Sequence, residues 1–433
     1  MMVQLSIILN KINDRAERRI SLQKRANHVE MSVMNYQIKN VRIIDATQDR
    51  VGDVFIEDGV IVENEIQDAE VLDGTGKILF PGLIDPHVHF RDPGLTHKED
   101  LFTGSRSAVA GGVTTFFEMP NTKPPTFTLQ NLEQKRALAR EKSCANFGFY
   151  FGAGMANAEE IKKAKNIPGV KLYLNTTTGD LKMDQEDTWR TIFNVAHRVL
   201  LHAEGETFAR AIEIWKEEGA PCEVHLCHVS LASEVALLRE LKQSEYADKI
   251  SSEVCPHHLL LTNEAQGPFA EMKPPLATNA DLKALWEGVE DGTIDIFATD
   301  HAPHTKEEKL GATVPFGVPG VETLLPLLFT EFQKRNLSLQ KLAFMMSKRT
   351  VELFHVQDKK GVLASGYDAD LVLLDPTSGV IDAEQFFSKA KHSPFDGREV
   401  EGRVEKTFVN GTLVFDKGVF VDEDFRGKEI LFS

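Results

Sequence analysis

The chain has 433 residues, with 49 Lys plus Arg against 65 Asp plus Glu, a formal net charge of −16, and 42% hydrophobic residues. Such a composition excludes a disordered or collagen-like chain, and the negative balance argues against a nucleic-acid or anionic-membrane partner, which needs a basic footprint. The length exceeds one average domain but fits one α/β barrel with an appendage; four cysteines without CxxC spacing make no disulfide framework, so a reducing cytoplasm is the expected location.

Residues 1–34 carry Lys11, Arg15, Arg18, Arg19, Lys24 and Arg25 among acidic neighbours and lack the apolar core of a signal peptide, so they read as a poorly ordered N-terminal extension. No run approaches the roughly 20 apolar residues of a membrane span. From Tyr36 short strand-like runs follow closely: Tyr36 to Ile44, Val54 to Glu57, Val60 to Glu63, Glu70 to Leu72 and Ile78 to Leu79. The same texture returns at Ala369 to Leu374, Val404 to Val409 and Thr412 to Phe415, with Asn410-Gly411 as a hairpin turn. Residues 35–80 and 361–433 therefore predict one small β domain built from both chain ends.

Between them, residues 81–360 alternate eight apolar strands with helical stretches. The strands read as Leu83 to Phe90, Val113 to Met119, Phe147 to Phe151, Val170 to Leu174, Val199 to Ala203, Glu223 to Val229, Ile250 to Cys255 and Ile294 to Thr299. Helices fit the intervals: Leu101 to Ala110 follows Asp100 as N-cap and stops at Gly111-Gly112, and Leu129 to Lys142, Glu206 to Glu218, Leu231 to Lys242 and Glu322 to Gln333 read similarly. Eight β-α units predict a (β/α)8 TIM-type barrel, whose chemistry lies at the C-terminal strand ends. The polar stretch Asn175 to Asp187 after the fourth strand reads as a loop over that rim.

Reactive side chains fall where a barrel needs them. The first strand ends Asp85-Pro86-His87-Val88-His89, and residues two apart on a strand share a face, so two imidazoles can serve one metal ion or be ordinary polar positions. His202 ends the fifth strand, His228 the sixth, and Asp300, His301 and His304 follow the eighth. Lys171 lies inside a central strand, where a lysine must be paired, deprotonated or modified; its carbamate would offer two oxygens to bridge two metals.

The segments Gly82 to Gly94, Lys98-Glu99-Asp100, Met119-Pro120-Asn121-Thr122, Pro256-His257-His258-Leu259 and Ala298 to His304 closely resemble the dihydroorotases of the amidohydrolase superfamily, from about Asn40 to about Phe420. Lys171 to Asn175 and Cys227-His228 are most similar to the dihydroorotase domain of the animal multifunctional pyrimidine-synthesis protein; many bacterial relatives carry Asp at the Lys171 position. The resemblance implies two zinc ions per subunit. His87, His89 and Asp300 would bind the first, carboxylated Lys171 and a hydroxide would bridge both, and His202 with His228 would complete the second, with Asp300 as the catalytic proton carrier. It further implies substrate contacts from Arg91, Asn121, Lys273, His304, Phe316 and Gly317, and lid residues Thr177 and Thr178. A guanidinium suits carboxylate in a bidentate fork; Arg91 could alternatively pair with Asp92 or Glu99 on the rim.

Two departures stand out. Lys273 replaces the Arg of the animal domain and loses the planar fork, and Thr178 replaces a phenylalanine. Cys227 reads as a core thiol by strand alternation, with an accessory metal shared with Glu253 as the other reading. His225, His257 and His258 read as structural, His258 as an orienter of a ligand, and His28, His197, His355 and His392 are assigned no role. The expected activity is zinc-dependent interconversion of N-carbamoyl-L-aspartate and L-dihydroorotate in pyrimidine (UMP) biosynthesis. The alternatives are allantoinase, hydantoinase or dihydropyrimidinase, or a non-catalytic scaffold for aspartate transcarbamoylase. The expected partners are a small-molecule substrate, a second copy in a homodimer and aspartate transcarbamoylase.

Overall fold

The computed structural model describes residues 34–177, 181–265 and 267–433. Residues 1–33 and Thr178 lie outside the described residues, and with them fall the expected extension and one of the two lid positions.

The first strands are β1 (Tyr36–Ile44), β2 (Asp49–Glu57), β3 (Val60–Val62), β4 (Glu70–Asp73) and β5 (Ile78–Pro81). The barrel strands are β6 (Leu83–Val88), β7 (Val113–Glu118), β8 (Asn146–Phe149) with its short continuation β9 (Phe151–Gly152), β10 (Val170–Tyr173), β11 (Arg198–His202), β12 (Glu223–Leu226), β13 (Ile250–Val254) and β14 (Ile296–Phe297). The chain then returns to the first sheet as β15 (Leu371–Val380), β16 (Glu399–Val409), β17 (Thr412–Asp416) and β18 (Val419–Phe420).

Strands from both chain ends form one mixed sheet in the order β18-β17-β16-β15-β5-β1-β2-β3, with β4 beside β1. Its centre is the antiparallel pairing of β5 with β15, Leu371 opposite Pro81. Alternation along β15 divides its side chains between two cores. Leu371 and Leu373 join Tyr36, Ile38, Ile56 and Phe408 on one face, whereas Val372 and Leu374 join the barrel core with Val109 and Val404. Asn410 and Gly411, at φ 49° and 79°, make the tight β16-β17 turn, the mirror-image geometry that suits strand twist.

The barrel strands pair in parallel as two arcs, β6-β7-β8 and β9-β10-β11-β12-β13-β14. Their side chains are buried almost throughout, as expected of strands covered on both faces. The predicted third strand breaks at Tyr150, whose hydroxyl donates to the Pro86 carbonyl at 2.9 Å. The ring closes between first and last strands: Val88 bridges His301, and the His89 N–H donates to the His301 carbonyl at 2.8 Å. Buried Asp85 buckles this seam, accepting from the Thr299 backbone N–H and hydroxyl and from the His87 N–H.

Helix Leu101–Ala110 starts where Asp100 accepts from the Thr103 N–H and ends at Gly111, and Leu129–Lys142 is capped by Thr128. Several strands end earlier than their hydrophobic runs. β12 stops at Leu226, three residues short of the expected Val229, and β14 is two residues long. The helix expected from Glu322 begins at Leu324, and the one expected from Leu231 begins at Ala232.

Candidate active site

The early strand ends free the backbone to aim side chains inward. Arg91, His228 and Asp300 each follow closely on the end of a barrel strand, β6, β12 and β14 respectively. All three adopt left-handed φ values, 64°, 38° and 46°. Non-glycine residues in this region carry strain that packing must offset.

His87, His228 and Asp300 converge, with ligand atoms within 4.8 Å of one another. Asp300 Oδ1 lies 2.9 Å from His89 Nε2 and 3.3 Å from His87 Nε2. His202 Nδ1 and His228 Nε2 are 2.8 Å apart. Lys171 is fully buried and points into the same space, its Nζ 2.9 Å from Cys227 Sγ. The structure thus brings together all six residues expected to serve metal.

Cys227 is the core thiol that strand alternation predicts, fully buried with Ile84, Phe117 and Leu200; its sulfur also joins His87 and Glu253 in a second cluster with donor atoms within 4.8 Å. Glu253, on β13, bonds His87 Nδ1, accepts from the His228 N–H at 3.2 Å and meets His225 Nε2 at 3.1 Å. A carboxylate behind a ligating histidine fixes its tautomer and leaves the other nitrogen for metal. His258 packs edge-on against His257 with ring centres 4.5 Å apart, and among the described residues neither of its ring nitrogens has a hydrogen-bond partner.

Burial opposes the ionised form of Asp300, yet the imidazoles of His87 and His89 overcome it and hold the carboxyl well below the ordinary range. Burial pushes His89 down to about 4 and, aided by the Lys171 charge, His202 to about 3. These two imidazoles are neutral, the state that metal binding requires. Burial and the Lys171 charge also oppose protonation of His87, but Glu253 and Asp300 outweigh them and raise it to about 10, so a metal here would displace that proton. His228 Nδ1 is buried without a hydrogen-bond partner, and Lys171 has no carboxylate partner among the described residues. Such an orphaned imidazole nitrogen and a buried lysine without a carboxylate partner among the described residues fit a metal centre.

Next to this cluster is a narrow pocket lined by His89, Arg91, Asn121, Thr177, Lys273, Asp300, Ala302, Phe316 and Gly317. Arg91 is 2% exposed and pairs with neither Asp92, which binds Lys142, nor Glu99, which bonds Thr103 and Ser388. Its Nε instead donates to the Pro303 carbonyl at 3.3 Å. Asn121 also holds His89, because its Oδ1 receives a 2.6 Å bond from His89 Nδ1; this turns the amide N–H groups the other way. Lys273 Nζ lies 5.2 Å from the Phe316 ring centre.

His304 touches the pocket from behind, its Nε2 2.9 Å from the Phe316 carbonyl. Residues without an assigned role support this wall. His392 donates to the His304 carbonyl at 3.0 Å, and fully buried Lys309 donates to the carbonyls of Glu271 and Pro315, both at 2.9 Å, tying the Lys273 and Phe316 loops together. Nothing in local sequence marks either residue, whereas Lys98, which bonds His304 Nδ1 at 3.0 Å, lies within a recognised motif.

A barrel with a histidine, aspartate and lysine cluster on its C-terminal rim defines a class, and residues 78–414 match the Amidohydrolase family; the chain belongs to that family. Within it, the chain is 35% identical over 424 residues to the dihydroorotase of Endomicrobium trichonymphae, covering 88% of this chain and all of that one. It is also 35% identical over 361 residues to the multifunctional protein CAD of Squalus acanthias, covering 82% of this chain and 16% of that protein. Among solved structures, the L-hydantoinase (dihydropyrimidinase) of Arthrobacter aurescens superposes with a TM-score of 0.86 at 28% identity, over 92% of this chain and 100% of that one. Among the described residues, no helix is long and apolar enough to cross a membrane.

Proposed function

We propose that this chain is a dihydroorotase, interconverting N-carbamoyl-L-aspartate and L-dihydroorotate in de novo pyrimidine biosynthesis. The observation that carries the reading is the buried, carboxylate-free Arg91 beside Asn121 and Lys273, in a pocket opening directly onto the Asp300 cluster. A neutral cyclic amide has no use for that cationic wall; a ring carboxylate does.

His87, His89 and Asp300 would hold one zinc ion, His202 and His228 a second, and carboxylated Lys171 would bridge them. Bound zinc supplies a water activated at neutral pH and a polarised amide carbonyl. The chain's own residues do the rest. Arg91, Asn121, Lys273 and His304 orient the substrate through its carboxylate and ring, Phe316 and Gly317 form the opposite wall, and Thr177 and Thr178 serve as lid residues. Asp300, kept ionised by its imidazole neighbours, takes the proton of the attacking water at its carboxylate and delivers it to the departing ring nitrogen. Ring closure runs these steps backwards and consumes one proton. Residues 81–360 form the catalytic unit, with 35–80 and 361–433 as the small β domain. The enzyme works in the cytoplasm as a homodimer, and the similarity to a multifunctional protein supports an association with aspartate transcarbamoylase.

The test is an assay of dihydroorotate formation together with metal analysis of the same sample. Two zinc ions per chain, a carbamate carbon signal from Lys171 in 13C NMR, and an equilibrium share of dihydroorotate that rises as pH falls are expected. A pH-independent equilibrium would refute the reaction. The overlap with L-hydantoinase favours a second reading, a cyclic amidohydrolase without need of a carboxylate; preferred turnover of hydantoin or allantoin would establish it instead.

A further inference from the structure

We propose that Lys98 is a positioning residue for the substrate carboxylate: by donating to His304 Nδ1 it fixes the imidazole as its Nε2–H tautomer, which places a second donor beside the Arg91 guanidinium. This role rests on the reading that the pocket takes a carboxylate.

An ammonium has three donors and no acceptor, so the 3.0 Å contact of Lys98 Nζ with His304 Nδ1 makes that nitrogen the acceptor. Burial, together with the positive charges of Arg91 and Lys98, keeps the imidazole neutral, so its single proton sits on Nε2, where it is donated to the Phe316 carbonyl. Arg91 Nη2 lies 3.4 Å from the same Nε2. Two donors cannot bond each other, so together they mark out a place for one shared acceptor. A carboxylate oxygen there would draw the Nε2 proton from the Phe316 carbonyl, because a charged acceptor makes the stronger bond.

The surroundings show why the tautomer needs a guard. Glu308 Oε1 holds Lys98 at 3.0 Å, while Glu308 Oε2 lies 3.7 Å from His304 Nδ1. With the lysine gone, a proton on Nδ1 would be attracted to Glu308, and Nε2 would become an acceptor for Arg91. The guanidinium would then be satisfied within the protein and one of two donors to the substrate would vanish. On the other side, His392 holds the His304 carbonyl and stacks on Phe269, with centroids 4.7 Å apart, so the backbone cannot swing to compensate.

The experiment combines ring-15N histidine NMR of the full-length zinc enzyme, with His304 assigned by loss of its signals in His304→Gln, and steady-state kinetics. In the wild type, Nδ1 of His304 is expected unprotonated and Nε2 protonated. Lys98→Met should reverse the pattern and raise KM for dihydroorotate about tenfold or more, with a smaller change in kcat, whereas Lys98→Arg should restore both the tautomer and KM. A wild-type proton on Nδ1, or an unchanged tautomer in Lys98→Met, would overturn the proposal, and the wild-type spectrum decides even if the variant fails to fold. Failure of the pocket reading shows separately, as wild-type enzyme inert towards dihydroorotate with the tautomer as expected.

Discussion

Replacing Arg91 by methionine keeps much of the bulk of the side chain and removes its charge. The guanidinium is 2% exposed and has no carboxylate partner among the described residues, so two charge-assisted bonds to a bound carboxylate would form in a nearly water-free setting. At about 1.5–3 kcal/mol per bond to a charged group, the loss is about 3–6 kcal/mol, or about two to four powers of ten in kcat/KM. The loss should be confined to acids: the wild type should prefer dihydroorotate over its carboxamide analogue by a similar factor, and Arg91→Met should discriminate little between them. Burial also pushes the Arg91 pKa down to about 10, a sign that its charge is costly in the free enzyme, so the variant should unfold at an equal or higher urea concentration. An equal loss on acid and amide, or a drop in zinc content, would refute the assignment of Arg91 to the carboxylate.

Asp85→Ala should strip the β6-β14 seam of an acceptor for two backbone N–H groups and a hydroxyl, costing about 2–4 kcal/mol in urea unfolding; an unchanged midpoint would contradict the role given to the seam. Glu253→Leu should leave His87 without its partner and weaken zinc binding about 10–100-fold in a chelator competition. For Lys309, burial lowers the pKa from 10.5 to about 8, so between those values the unfolded chain holds the extra proton and stability rises with pH. Lys309→Met should lack that rise, measured as the difference between wild-type and variant urea midpoints from about pH 8 to about pH 10.5.

Elements with a local cause were legible in the sequence. The helix Leu101–Ala110 is bounded by Asp100 and Gly111, and the β16-β17 turn by Asn410-Gly411, because each is decided within a few residues. The convergence of His87, His89, His202, His228 and Asp300 was legible because all fall near strand ends on one barrel rim. The reach of the Cys227 sulfur to His87 and Glu253, beyond its place in the core, was not. Alternation holds only while the strand lasts, and β12 ends at Leu226, with His228 turned to positive φ. The bond from His89 to Asn121, the clasp of Lys309 and the support from His392 depend on contacts between distant segments, which no periodicity encodes.

The sheet built from both chain ends has a consequence for biosynthesis. Strand β5 meets its neighbour β15 only after about 290 further residues have been made. At about 5–20 residues per second, its open edge waits about 15–60 s on the ribosome. Buried Ile78, Leu79 and Phe80 therefore spend that interval as an unpaired apolar edge, so the β domain closes last, after the barrel it flanks has emerged.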